Sequence, residues 1–221
     1  MSEQFDLFGE APEPSPKKET PKPQTSGRIL YFDLETQKSA DDVGGWGNSH
    51  LMKMSVGVVW DSVENDYGVY EEDKAEDLVR HLQKADLVVG FNVIGFDYSV
   101  LQPYANKLGV DLTELPTHDM LADVHKKLNH RLSLDNLASR TLGETKSADG
   151  LKALQWYKEG KMDLIIEYCK QDVNVTRDLF LFGQENGFVK YDSRSRGPQS
   201  MNVDWNSSDL IKRLAKSNGN S

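Results

Sequence analysis

Apolar residues along this chain fall into runs whose spacing switches repeatedly between the strand and helix periods. RILYFDLET (28–36), LMKMSVGVVW (51–60) and DYGVY (66–70) are β-rich runs, the last two joined by polar turn residues around Glu64 to Asp66. AEDLVRHLQKA (75–85) repeats Leu78, Val79 and Leu82 at helical spacing, and DLVVG (86–90) follows as a short buried strand. FDYSVLQPYANKL (96–108) reads as a helix bent near Pro103. ELPTHDM (114–120) is a strand end running into the helical ADVHKKL (122–128). SLDNLASRTL, LKALQWYKEG and the long MDLIIEYCKQDVNVTRDLFLFGQEN complete the body as helices. Three strands, then helices alternating with strands, specify an α/β class with one mixed sheet flanked by helices.

The two ends differ from this body. Five of the eight prolines fall between Pro12 and Pro23, alternating with charge and Ser/Thr, so residues 1–27 are expected to be a disordered tether. Residues 28–190 form the expected domain, and 191–221 a polar, partly ordered tail. Within that tail MNVDW (201–205) alternates like an edge strand, and SSDLIKRLAKS (207–217) offers Ser208 as a cap for a short amphipathic helix.

Composition narrows the function classes. A single cysteine in 221 residues excludes a disulfide framework and any CxxC metal site. No apolar run approaches the roughly 18 residues needed to span a bilayer, and MSEQFDLFGE lacks the order of a secretory signal, so a cytoplasmic protein with no membrane partner is expected. The net charge of −9 ordinarily argues against a nucleic-acid partner. The terminal segments balance at −2 and +2, which places the whole excess on residues 28–190.

Three motifs carry candidate chemistry. Asp33-Leu34-Glu35 ends an apolar strand, so its two carboxylates share one face and call for a cation, unless they are an exposed edge pair. In GFNVIGFDYSVL, Asp97 opens a helix, where it is either a cap or a ligand. In EYCKQDV, Tyr168 and Asp172 lie one helical turn apart, as a site pair or as a surface Asp beside a snorkelling Tyr. His118-Asp119 reads as a strand end starting a helix rather than a fifth acid. His81, His125 and His130 share no ligand spacing and read as surface residues. Lys126, Lys127, His130 and Arg131, with Lys146 and Lys152, either line a phosphate track or form a solvated helix end. Trp156-Tyr157 either stacks a base or belongs to the core, and Cys169 reads as a buried small residue.

Taken in order, strand DxE, N-x₃-FD at a strand-to-helix turn and Y-x₃-D late in a helix resemble the DEDDy 3′–5′ exonucleases of the ribonuclease H-like superfamily. The match is closest to the YprB-like, polymerase-B-related exonuclease domains, through FDLET, GFNVIGFDYSVL, SLDNLA, GLKALQWYKEG and YCKQDV. That resemblance implies a ribonuclease H-like mixed sheet over 28–190. It implies Asp33, Glu35, Asp97 and Asp172 as metal-binding catalytic acids, Tyr168 as the residue orienting the attacking water, and Asn92, Thr36 and Phe96 as substrate contacts. Four hard oxygen donors favour two Mg²⁺ or Mn²⁺ ions over Zn²⁺. The implied partner is nucleic acid with a single-stranded or frayed 3′ end, DNA favoured. Exoribonuclease activity with the same chemistry, or a catalytically idle binding module, are the rivals. Finally, Gln4-Phe5-Asp6-Leu7-Phe8 resembles the bacterial sliding-clamp-binding peptide, with Gln4, Leu7 and Phe8 as its contacts and Phe5 departing from the pattern. Through it the nuclease would be nucleoid-associated when engaged.

Overall fold

A computed structural model describes residues 27–143 and 150–218. Its centre is a five-stranded sheet built from β1 (Ile29–Thr36), β2 (Met54–Asp61), β3 (Asp66–Glu71), β4 (Leu87–Gly90) and β5 (Thr117–Asp119), in the order β3-β2-β1-β4-β5. β1 pairs antiparallel with β2, and β2 with β3, while β1, β4 and β5 run parallel. The sheet is mixed and the class is α/β, as the strand and helix periods predict.

The central strand is buried on both faces, which is why ILYFDLET begins as an unbroken apolar run. Alternation divides it. Ile29 and Tyr31 enter one core, beneath α6 (Met162–Asn186), where Tyr31 meets Phe180 edge-on at 5.9 Å. Leu30, Phe32 and Leu34 enter the other, beneath α1 (Ala75–Leu82) and α2 (Tyr98–Ala105). The same alternation sends Asp33 and Glu35 toward α6 and leaves Leu34 in the opposite core. Three further helices complete this part of the chain, α3 (Met120–Leu128), α4 (Leu134–Thr141) and α5 (Gly150–Lys158).

The expected boundary at residue 190 does not hold, because it falls inside a strand. β6 (Phe188–Ser193) and β7 (Gly197–Asn202) form an antiparallel hairpin, and α7 (Ser207–Asn218) follows. Met201, Val203, Trp205 and Leu210 belong to the α6-side core. Trp205 is 1% exposed, stacks on Phe180 at 6.1 Å and donates its indole N–H to Asp123 Oδ2 at 2.8 Å. Gly183 makes room for it: a Cβ there would lie 2.3 Å from the indole ring. A polar average over 191–218 hides five well-spaced anchors, these four and Tyr191. The expected amphipathic helix is α7, although Ser208 lies inside it and Asn206 Oδ1 accepts the Asp209 N–H in the capping role, and the expected edge strand ends at Asn202, before the buried Val203 and Trp205.

Two elements depart from the pattern reading. Between β1 and β2 the chain makes two 3₁₀ turns, Asp41–Val43 and Trp46–Leu51, in a Gly-rich polar stretch with no periodicity to mark them. His81, expected at the surface, is largely buried and bridges the Tyr70 hydroxyl at 2.8 Å and Asp61 Oδ2 at 2.9 Å. Among the described residues no helix is long and apolar enough to cross a membrane.

Candidate active site

The site forms where β4 stops short. β4 pairs with β1 only at Ile29, Leu30 and Tyr31, so the remainder of that edge of β1 lacks a strand neighbour among the described residues. Gly90 ends β4 against it; a Cβ there would meet the Phe32 carbonyl at 3.1 Å and Val93 Cβ at 2.8 Å. The chain then turns through Asn92, left-handed at φ +68°, into one π-turn, Val93–Asp97, that delivers Asp97 back to β1. Asp97 Oδ1 accepts the Leu34 N–H at 3.1 Å, in place of the missing strand partner. It makes no capping hydrogen bond to α2, so the cap reading of this aspartate does not hold. Asp97 is 3% exposed; burial, and then the neighbouring Asp33 carboxylate, push its carboxyl well above the usual aspartate range.

Asp172 reaches the same place from α6. The carboxylate oxygens of Asp33, Glu35 and Asp172 lie within 4.8 Å of one another, all three half-buried. Asp97 stands outside this trio but lines the same cavity. Tyr168, one turn before Asp172, hydrogen-bonds to it. Burial, then the charges of Asp172, Glu35 and Asp33, hold the phenol well above its usual range, so it remains an O–H donor at any working pH. Trp156 packs edge-on against the Tyr168 ring at 6.2 Å, which settles that aromatic in favour of packing rather than base stacking. All five residues that the motifs singled out line one cavity of about 740 Å³.

The family model of the RNase H superfamily matches residues 30–181, a span that includes all five. The chain belongs to the RNase H superfamily. Among solved structures it resembles the family B DNA polymerase from the hyperthermophilic archaeon Pyrobaculum calidifontis, with a TM-score of 0.54 and 20% identity. The likeness covers 72% of this chain and 26% of that polymerase, and at this identity it speaks for the fold. No curated protein matches the chain.

In this RNase H superfamily member the donor set suits a hard divalent cation. The trio offers carboxylate oxygens alone, without imidazole. The one thiol nearby, Cys169, is fully buried and pushed up by burial and by Asp33, so it stays neutral. Its S–H lies 3.4 Å from the Asp33 carbonyl and 3.6 Å from Asp33 Oδ2, a contact that supports Asp33 and that the small-residue reading did not foresee.

The substrate-contact candidates divide. Thr36 lines the cavity but turns its hydroxyl onto the Lys38 carbonyl at 2.9 Å. Asn92 lines the cavity, and its Oδ1 accepts from Arg131 at 2.8 Å. Phe96 lines it too and packs edge-on to Trp46 at 5.8 Å. Trp46 is 72% exposed, and the motifs did not single it out. A large aromatic among glycines and polar residues, with no apolar partner in register, was its only signal in the sequence. Asp119 is not a fifth acid: it accepts the Leu121 and Ala122 N–H groups as the cap of α3, and the Asn92 and Ile94 N–H groups as well. Gln4, Leu7 and Phe8 lie outside the described residues.

Proposed function

We propose that this protein is a metal-dependent 3′–5′ exonuclease of the DEDDy type acting on DNA. The observation that carries the reading is the carboxylate trio of Asp33, Glu35 and Asp172 with the Tyr168 phenol bonded to one of its members. These acids, with Asp97, would hold two divalent cations, Mg²⁺ or Mn²⁺. Bound there, the cations supply Lewis acidity toward a phosphodiester and toward the water that attacks it. The chain's own residues do the rest. Tyr168 keeps its proton and offers a fixed O–H beside the acids to orient that water. Asn92 presents its amide at the cavity wall, and Phe96 with the exposed Trp46 forms an aromatic face on which an unpaired terminal base stacks without regard to its identity. A cavity of about 740 Å³ suits a strand end better than the middle of a duplex.

The fold likeness to a DNA polymerase favours DNA over RNA, and the clamp-like peptide at Gln4, Leu7 and Phe8 favours it again. Docked on a sliding clamp in the cytoplasm, such a tether would raise the local concentration of the nuclease at DNA ends. To test the chemistry, 5′-labelled single-stranded DNA, duplex DNA with recessed or mismatched 3′ ends, and RNA are incubated with the protein in Mg²⁺ or Mn²⁺. Stepwise shortening from the 3′ end is expected, strongest on DNA, and absent with chelator and in Asp33→Ala. Equal activity in Asp33→Ala refutes the metal assignment, and preference for RNA replaces the substrate. For docking, clamp pull-down is expected to vanish in the Leu7→Ala/Phe8→Ala double variant; undiminished capture removes the peptide from the reading.

A further inference from the structure

Arg28, Arg80, Arg140 and Arg177 each pair with a carboxylate. Among the described residues Arg131, like Arg194, Arg196 and Arg213, does not: it is exposed, and its guanidinium bonds only the neutral Oδ1 of Asn92, a residue of the acid cavity, at 2.8 Å. An amide oxygen orients a guanidinium without neutralising it. Of the five N–H donors in that planar fork, one is in use, and the others remain for a bidentate acceptor such as phosphate.

The local fold holds this arrangement from both sides. The Asp119 carboxylate fixes the Asn92 turn through the Asn92 and Ile94 N–H groups, at 2.9 and 3.1 Å, while capping the start of α3. At the other end of α3, Asn129 adopts a left-handed conformation (φ +58°), and the chain turns back before Ser133 caps α4. Arg131 lies in that short connection and returns to Asn92, a cavity residue. One helix thus has the anchor of the turn as its N-cap and the cation three residues past its last.

Two other members of the expected basic track are engaged elsewhere. Lys127 donates to the Asn202 carbonyl at 3.0 Å and pairs with Asp123 at 3.4 Å. The His130 ring faces the Leu128 carbonyl at 3.0 Å. Lys146 lies outside the described residues. What remains is a cavity floored by acids, with Lys38 on its lining and Arg131 beside Asn92. A polyanion approaching four carboxylates is repelled unless positive charge meets it at the edge.

We propose that Arg131, oriented by Asn92, binds a phosphate of the nucleic-acid strand whose end enters the acid cavity. This rests on the nuclease reading above. The test measures binding separately from cutting. Affinity for a fluorescein-labelled single-stranded oligonucleotide is followed by anisotropy in Mn²⁺ at several salt concentrations, in an Asp33→Ala background so that the strand survives. Adding Arg131→Ala is expected to weaken binding about 10-fold at low salt and to reduce the slope of log K against log salt by about 0.7, one phosphate contact on a single strand. Arg131→Lys, which keeps the charge but loses the fork, is expected to retain the slope with part of the affinity. Melting temperatures of all variants should agree, since the side chain is exposed. Unchanged affinity or slope in Arg131→Ala, or no strand binding in the background protein, overturns the contact. If the unaltered protein binds but hydrolyses no strand, the nuclease reading fails while the contact stands; if it hydrolyses and the slope is unmoved, the contact fails alone.

Discussion

Replacing Asp97 by asparagine separates what this side chain does for the sheet from what it does for the site. An asparagine amide oxygen can accept the same Leu34 N–H that Asp97 Oδ1 accepts at 3.1 Å, so the substitution removes a charge and keeps the contact. In the cation-free protein, burial and Asp33 raise the Asp97 carboxyl well above its ordinary range. The unfolded chain releases this proton near pH about 3.9. Between that value and the raised folded one, the native state binds more protons than the unfolded state. Stability therefore falls as pH rises through this window, by up to about 1.4 kcal/mol per pH unit for one proton, and levels off above the folded value. For a body of this size about 1 kcal/mol shifts melting by roughly 2–4 °C, so the slope reaches about 3–6 °C per pH unit.

Asp97→Asn removes that slope. The assay is thermal denaturation of parent and variant from pH 5 to 9 with chelator present, read as the difference between the two, which cancels groups common to both. The variant should gain on the parent as pH rises. Added Mn²⁺ should then raise the parent's melting temperature, more at higher pH because the ligands must be ionised, and raise the variant's far less. Parallel curves, with a constant difference across the whole range, would refute the claim that the fold holds Asp97 in a destabilised charge state.

Three further outcomes follow from the geometry. Tyr168→Phe keeps the ring packed against Trp156 and deletes the O–H, so turnover should fall on the order of 100-fold while Mn²⁺ binding by calorimetry persists; parent-like turnover would remove Tyr168 from water positioning. Trp46→Ala deletes a 72%-exposed ring, so melting should move little, whereas strand affinity should drop about 10- to 100-fold, the loss of one stacked base. Affinity within twofold of the parent would mean the Trp46–Phe96 face stacks nothing. His118 is 9% exposed between Phe180 and Trp205, its Nε2 has no hydrogen-bond partner among the described residues, and burial lowers its pKa from 6.5 to about 4. Its neutral form contributes about 3 kcal/mol that is fully present above pH 6.5 and lost as pH falls toward 4. Stability curves of His118→Phe should be flatter in that window, and an unchanged slope would sink the assignment.

What was legible in the sequence depended on whether local periodicity carried it. Asp33 and Glu35 were readable as a pair because a strand has period two, and Tyr168 with Asp172 because four residues make a helical turn. Asp97 was ambiguous alone. Its role depends on the early end of β4, which leaves the Leu34 N–H without a strand partner, and no local pattern states where a neighbouring strand stops. Arg131 was one member of an unresolved charge run because its partner, Asn92, is 39 residues away. The helical period of α7 is legible, but the packing of α7 and the hairpin onto the body is not, for a different reason. Trp205, Val203, Met201 and Leu210 are spaced among Asn, Ser, Asp and Arg, and an averaged composition of that stretch resembles a tail. In each of these cases a contact between distant segments overrides or completes a local signal.

The truncated strand also bears on the acidity that, as composition, argues against a nucleic-acid partner. Had β4 run the length of β1, the edge beyond Tyr31 would be covered and Leu34 would bond to a neighbouring backbone. Because it stops at Gly90, the sheet is completed there by a side-chain carboxylate, and that carboxylate must sit beside Asp33. The group that satisfies the backbone at this edge thus also brings a fourth acid to the same point. It does so where a hard cation can relieve the repulsion, with an arginine free of carboxylate partners, among the described residues, bonded to a residue of the cavity wall. Charge of one sign at the centre and of the other at the edge is the arrangement that admits a polyanion only once the centre is neutralised. Strand binding by this protein should accordingly depend on divalent cations before hydrolysis does.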